Sequence, residues 1–99
     1  MNIWKDENAK ELCKALLHLK DESECMAFLE DLCTIKEIMD MAQRFSVAKK
    51  LDKGISYAEI SKQTGASTAT ISRVSKCYEY GAGGYKAVIS KCLGSDKDD

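Results

Sequence analysis

One stretch decides the fold, Ser56-Tyr57-Ala58-Glu59-Ile60-Ser61-Lys62-Gln63-Thr64-Gly65-Ala66-Ser67-Thr68-Ala69-Thr70-Ile71-Ser72-Arg73. Ser56 and Glu59 have the spacing of an S-x-x-E capping box, which predicts a helix that begins near Tyr57. Gly65 can adopt a positive φ at a helix C-terminus, so the chain can turn there within about three residues. A second helix, capped by Ser67, follows at once. This arrangement predicts a helix-turn-helix over about residues 56–78.

The two faces of the second predicted helix differ in chemistry. An apolar wedge at the helix crossing consists of Ile60, Ala66, Ile71 and Val74. The opposite face carries small, hydroxyl-bearing and basic side chains, which suit contacts with base edges and phosphates. The candidate DNA-contacting residues are Lys62, Ser67, Thr68, Ala69, Thr70, Ser72, Arg73 and Lys76. Because such helical corners also serve as scaffolds, a helical protein-interaction module without DNA binding is the alternative hypothesis.

Charge is unevenly distributed, although the formal net charge of the chain is only −1. Residues 1–40 contain five Lys against ten Asp plus Glu, a net of −5, whereas residues 41–93 contain nine Lys plus Arg against three acidic residues, a net of +6. Each phosphate neutralised by such cations adds salt-sensitive affinity for a duplex. The candidates for phosphate contact are Arg44, Lys49, Lys50, Lys53, Lys62, Arg73, Lys76, Lys86 and Lys91. This basic excess around the motif favours double-stranded DNA as the partner.

Length and composition predict a single all-α domain. Of the 99 residues, 1–94 are assigned to one helical DNA-binding and dimerisation domain and 95–99 to a flexible polar tail. The chain contains no proline and is rich in helix-forming residues. No apolar run approaches the roughly 18 residues of a membrane span, and the N-terminus lacks the order of a signal peptide. We therefore expect a cytoplasmic protein without a membrane partner.

The residue types that carry catalysis or bind metals are scattered. The cysteines are Cys13, Cys25, Cys33, Cys77 and Cys92. They form no C-x-x-C pair, so we expect no metal site and expect most of them to be small buried hydrophobes. The single histidine, His18, lies near the end of the first predicted helix, where the helix dipole favours it. Without a catalytic constellation, an enzyme is not expected.

Apolar periodicity predicts further helices on both sides of the motif. The first spans about Asp6–Lys20, the second begins at the Asp21/Glu24 signal, and the third begins at Thr34/Glu37 and ends at Gly54. The predicted apolar stripe of the third helix consists of Ile35, Ile38, Met41, Ala42, Phe45, Ala48 and Leu51. A last helix follows the glycine-rich segment 81–84. Its predicted apolar face consists of Tyr85, Val88, Ile89 and Cys92.

Two features of these helices predict a homodimer. Apolar residues such as Leu17 and Phe28 lie outside the main stripes of the first two helices. The last helix is expected to hang beyond its glycine-rich hinge with little chain left to pack against. A partner subunit would cover both surfaces, and a two-fold pair would present two recognition helices about 34 Å apart. The alternative is a compact monomer whose short terminal helix folds back.

The chain resembles the tryptophan-repressor superfamily, in particular its YerC/YecD-type branch. The resemblance is carried by the segment Thr64-Gly65-Ala66-Ser67-Thr68-Ala69-Thr70-Ile71-Ser72-Arg73 and by two segments that precede it, Leu51-Asp52-Lys53-Gly54-Ile55-Ser56 and Leu32-Cys33-Thr34-Ile35-Lys36-Glu37. The resemblance implies an all-α, six-helix, tryptophan-repressor-like fold in an intertwined homodimer. It also implies a sequence-specific DNA-binding transcriptional regulator, a repressor, whose recognition helix meets the groove through Ser67, Thr68, Ala69 and Ser72.

The resemblance also implies a candidate effector pocket. The family holds L-tryptophan between two arginines, which match Arg44 and Arg73. Val74 stands where the family has a glycine that gives the ligand room, and Cys77 stands where it has a serine near the ligand's amino group. These departures argue against L-tryptophan as the effector. One hypothesis is that the two arginines flank a small cavity between subunits, able to accept an anion or a flat metabolite. The alternative is a phosphate contact for Arg73 and a surface or interhelix ion pair for Arg44.

Overall fold

The computed structural model of the protein describes residues 2–96. They form a short 3-10 turn, Ile3–Lys5, and six α-helices: α1 (Glu7–Leu16), α2 (Glu22–Leu32), α3 (Ile35–Asp52), α4 (Tyr57–Thr64), α5 (Thr68–Tyr80) and α6 (Gly84–Asp96). The described range contains no β-strand. The predicted all-α class and helix count are therefore confirmed.

Side-chain caps start the helices where the sequence predicted them. At α2, Asp21 Oδ1 accepts the Glu24 N–H at 2.8 Å. At α3 the box is complete, because Glu37 N–H donates to Thr34 Oγ1 at 3.1 Å and Thr34 N–H donates to Glu37 Oε1 at 2.8 Å. The bond from the Thr34 backbone lowers the pKa of Glu37, and the bond from the Thr34 side chain lowers it further.

The first helix is shorter than predicted. It ends at Leu16, four residues before Lys20, because the chain tightens there and the His18 N–H bonds back to the Ala15 carbonyl at 3.0 Å. The His18 side chain is exposed, and its Nδ1 lies 2.8 Å from the Lys14 carbonyl oxygen. His18 thus satisfies a carbonyl at the end of α1, as its predicted place at the helix terminus suggests.

The described residues of the first of two compact units, Met1–Ile38, include no fully buried side chain. Leu17 is 82% exposed, and Ile35, at the start of the predicted stripe of α3, is 81% exposed. The other large exposed apolar side chains of this unit are Ile3, Trp4, Leu12, Leu16, Met26 and Leu32. The helices of this unit therefore display apolar surface of the kind that subunit or partner contacts cover.

The second unit, Met39–Asp99, contains the buried core of the described chain. That core consists of Val47, Ala48, Ile60, Ala66, Ile71, Val74 and Ile89. It draws on α3, α4, α5 and α6 together, and the predicted apolar wedge of the helix-turn-helix forms four of its seven members. Burial of these side chains fixes α5 against α3 through the hydrophobic effect.

The last helix does not hang free, contrary to the prediction. Ile89 of α6 is 2% exposed within the core, and Tyr85 and Leu93 pack against the same cluster. Of the predicted apolar face, Val88 is exposed and Cys92 is half-buried. The helix continues to Asp96, and residues 97–99 of the predicted tail lie outside the described residues.

Candidate nucleic-acid interface

The turn between α4 and α5 is three residues long and has the geometry that the sequence predicted. Gly65 ends α4 with φ +75°, and its N–H donates to the Ser61 carbonyl at 2.8 Å. Ser67 caps α5 by accepting the Thr70 N–H at 3.1 Å. The helix-turn-helix predicted over about residues 56–78 is thus present.

The cap of α4 is only half of the predicted box. Ser56 Oγ accepts the Glu59 N–H at 3.2 Å, as expected. The Glu59 carboxylate, however, accepts a bond from Gln63 Nε2 at 2.9 Å, one helical turn further on. Glu59 therefore supports the exposed face of α4 through an i, i+4 side-chain bond in place of the reciprocal capping bond.

The second helix of the motif, α5, has one buried and one exposed face. Ile71 and Val74 are buried on one side. On the other, the exposed predicted contact residues are Ser67, Thr68, Ala69, Ser72, Arg73 and Lys76, with Lys62 exposed on α4. Thr70 departs from this set, because it is half-buried and its hydroxyl accepts a bond from Ser67 Oγ at 3.1 Å. Ser67 and Thr70 thus order the start of α5.

Basic side chains flank α5, and the helix itself carries no acidic residue from Thr68 to Tyr78. Two lysines rest on aromatic rings: Lys49 Nζ lies 5.3 Å from the Phe45 ring centroid, and Lys86 Nζ lies 5.0 Å from that of Tyr78. Such contacts hold the long side chains against the surface while the ammonium groups stay in water. From Thr68 to Tyr78, the exposed charged side chains of α5 are Arg73 and Lys76, which have the sign of charge that a phosphate backbone attracts.

The predicted effector residues meet around one small cavity. Arg44, Arg73, Val74 and Cys77 line a volume of about 180 Å³ together with Thr70 and Tyr85. Val74 is only 3% exposed, so its side chain belongs to the core as well as to the cavity wall. Tyr85 was missed by sequence reasoning, because it lies on α6 beyond the glycine-rich segment and no local pattern brings it to α5.

A larger open hollow adjoins the first and was not predicted. Its volume is about 480 Å³, and it is lined by Phe45, Cys77, Gly81, Ala82, Gly84, Tyr85 and Val88. Cys77 and Tyr85 line both volumes. Its lining comes from α3, α5, α6 and the segment between the last two, and the predicted apolar stripes of α3 and α6 were the only sequence signal for it.

The cysteines differ from expectation. Cys25, Cys33 and Cys92 are half-buried, and Cys13 and Cys77 are exposed, all as free thiols. The prediction that most of them are buried is wrong for this chain, because three of the five lie on the poorly buried first unit. Within residues 2–96, no three His, Cys, Asp or Glu side chains come together in a group that could hold a metal ion.

Comparison with known proteins agrees with this fold. The family model described as Trp repressor protein matches residues 7–93. YerC of Bacillus subtilis strain 168, an uncharacterized protein, is 48% identical over 81 residues, which cover 82% of this chain and 78% of YerC. The six helices and the turn between α4 and α5 define a helix-turn-helix protein of the all-α class.

Two solved structures are similar over nearly the whole chain. A TrpR-like protein from Eubacterium eligens is 48% identical with a TM-score of 0.86, and the match covers 91% of this chain and 92% of that one. A Trp repressor candidate from Staphylococcus aureus is 40% identical with a TM-score of 0.87, covering 94% and 95%. This chain belongs to the Trp repressor family, whose members are DNA-binding regulators and not enzymes. Within residues 2–96, no helix combines the length and apolar character of a membrane span.

Proposed function

We propose that this protein is a sequence-specific DNA-binding transcriptional regulator, acting in the cytoplasm as a repressor, which inserts α5 into the major groove. The observation that carries the proposal is the division of α5 into a face buried in the core and an exposed face of small, hydroxyl-bearing and basic side chains. Burial holds the helix in place, and the exposed face offers contacts to bases and phosphates.

The order of residues along α5 supports this docking. Thr68 and Ala69 at the N-terminus of the helix have small exposed side chains, which allow the backbone to approach base edges closely. Arg73 and Lys76 follow one and two turns later, where cations reach phosphates. Ser72, immediately before Arg73, has an exposed hydroxyl that can bond to a base or a phosphate.

The proposed assembly is an intertwined homodimer in which residues 1–94 form one DNA-binding and dimerisation domain. It is supported by the absence of fully buried side chains among the described residues of the first unit and by the apolar side chains exposed there. A partner subunit would remove that surface from water. Light scattering after size exclusion should then give twice the 11.0 kDa chain mass. A mass of one chain at micromolar concentration would contradict this assembly.

We propose further that the cavity between Arg44 and Arg73 takes a small anion and not L-tryptophan. Its wall includes Val74 and Cys77, the two departures from the family's tryptophan site. The two guanidinium groups favour a carboxylate or phosphate. Titration calorimetry and thermal shift across amino acids and anionic metabolites test this. Saturable binding of L-tryptophan, or no response to any anion, would refute it.

The main experiment is selection of bound duplexes from a random pool by the purified protein. We expect an enriched two-fold symmetric site, bound more weakly at 200 mM than at 50 mM salt. Arg73→Ala should weaken binding, whereas Lys20→Ala, a matched loss of one cation from the first unit, should not. Absence of binding at 50 mM salt would instead favour the alternative, a protein-interaction module.

A further inference from the structure

Two side-chain hydrogen bonds join α3 to the two ends of the region that carries the recognition helix. Gln43 Nε2 donates to the Thr64 carbonyl at 3.2 Å, immediately before the turn into α5. Tyr78 Oη donates to Asp52 Oδ1 at 2.5 Å, near the C-terminus of α5. These two hydrogen bonds, called ties below, thus join α3 to the helix-turn-helix before and near the end of α5.

The two ties are well separated along α3. Gln43 and Asp52 are nine residues apart on that helix, which corresponds to about 14 Å. On the other side, Thr64 is the last residue of α4, and Tyr78 lies two residues before the end of α5. One tie therefore holds the end of α4 beside the turn and the other holds α5 near its C-terminus, so together they oppose rotation of α5 relative to α3.

Thr64 is the centre of the tie at the turn. As the last residue of α4, it has a carbonyl that lacks an intrahelical partner, and Gln43 supplies one. Its hydroxyl donates to the Ile60 carbonyl at 2.7 Å and accepts the Ala66 N–H at 3.1 Å. A shift of Gln43 is therefore transmitted directly to the backbone of the turn.

The turn itself is closed by a second side chain of α4. Ser61 Oγ donates to the Ala66 carbonyl at 2.8 Å. Both backbone polar groups of buried Ala66 are thus held by α4 side chains, one by Thr64 and one by Ser61. Because Ala66 immediately precedes the cap of α5, these bonds stiffen the turn, and Gln43 joins it to α3.

We propose that Gln43 is a positioning residue, which sets the angle of α5 through the Thr64 carbonyl and thereby sets discrimination between DNA sequences. The inference rests on the proposed function, since it concerns the same recognition helix. Gln43 touches no base or phosphate in this scheme. Its loss should relax the angle of α5, so that base contacts lose their alignment while the cations that contact phosphates remain.

The test uses Gln43→Met, which has nearly the same shape but no donor, and Gln43→Glu, whose carboxylate can only accept at neutral pH. Gln63→Met is the matched control, because Gln63 bonds only to Glu59 within α4. Affinity for the selected duplex and for a scrambled duplex is measured by fluorescence anisotropy at several salt concentrations, well below the unfolding temperature.

We expect both Gln43 variants to lower the ratio of selected to scrambled affinity about fivefold, the worth of about one hydrogen bond. The slope of log affinity against log salt should stay unchanged, because the number of phosphate contacts is the same. Gln63→Met should keep the wild-type ratio. A purely structural role for Gln43 would lower the unfolding temperature and leave the ratio intact.

Tyr78→Phe provides a second, independent variant should either Gln43 substitution unfold the protein. It removes the tie at the far end of α5 and should lower the same ratio without changing the salt slope. Wild-type discrimination in the folded Gln43 variants, or in Tyr78→Phe where those unfold, overturns the inference while the proposed function stands. Failure of the wild type to prefer any duplex overturns the proposed function, and the inference with it.

Discussion

Replacement of Gly65 by alanine measures the energetic cost of the positive φ at this turn without a steric clash of the new side chain. Gly65 has φ +75°, and a Cβ built on it would meet no atom within 4 Å. The cost of alanine is therefore conformational, about 1–2 kcal/mol for an L side chain in the left-handed region. The smaller entropy of the unfolded alanine chain offsets part of this cost. A net loss of about 1 kcal/mol in the free energy of unfolding is expected.

The assay is urea and thermal unfolding followed by circular dichroism at one fixed protein concentration, since association changes apparent stability. A loss of about 1 kcal/mol corresponds to a drop of about 4–8 °C in Tm for a chain of this size. Duplex affinity at low temperature should change less than about threefold, because the bonds from Ser61 and Thr64 to Ala66 hold the turn in its shape.

Gly84→Ala is the matched control. Gly84 begins α6, has no positive φ and has open space around a built Cβ. Alanine there should leave stability unchanged or raise it by up to about 1 kcal/mol through helix propensity. Equal stability of Gly65→Ala and the wild type would refute the torsional argument, as would an equal loss in both glycine variants.

Three further outcomes are expected. Gly81→Ala should lower the free energy of unfolding by about 1–3 kcal/mol, which is more than the loss expected for Gly65→Ala. The new Cβ would lie 2.3 Å from the Cys77 carbonyl oxygen, a backbone atom that cannot rotate away. Urea unfolding of the two variants compares these losses. Glu37→Gln should be less stable than the wild type near pH 7. Because folding lowers the pKa of Glu37, that difference is present above its ordinary value of 4.5 and should vanish as pH falls through the lowered value, which urea titrations at pH 7 and pH 3 check. Lys76→Ala should reduce the salt slope of duplex affinity by about one unit, and an unchanged slope would remove Lys76 from the phosphate contacts.

The parts of the fold that depend on neighbouring residues were predictable from the sequence. Caps at Asp21, Thr34 and Ser67 were correctly assigned because an N-cap bond joins residues only three apart. The left-handed conformation of Gly65 followed from the need to end one helix and start another within a short turn. The buried wedge at Ile71 and its neighbours followed from helical periodicity.

Features that depend on distant packing were not predictable. The return of α6 to the core depends on Ile89 finding a site made by α3 and α5, which no local pattern specifies. Tyr85 reaches the cavity of Arg44 and Arg73 for the same reason. The bond from the Gln43 side chain to the Thr64 carbonyl spans 21 residues, and no local sequence pattern predicts it. The proximity of Arg44 and Arg73 was predicted only through the family resemblance, because no local pattern in the sequence pairs them.

The separation of charge along the chain explains how a protein with formal net charge −1 suits a phosphate-rich partner. Charges separated by more than about 10 Å are largely screened at 0.1 M salt, so a duplex responds mainly to the side chains nearest to it. The nearest side chains to a groove-bound α5 would be Arg73, Lys76 and Lys62, with no acidic residue on α5 before Glu79. Whole-chain charge averages this segment with the ten acidic residues of 1–40. The sign of the charge near α5, and not that of the net charge of the whole chain, therefore governs the salt dependence expected of the interface.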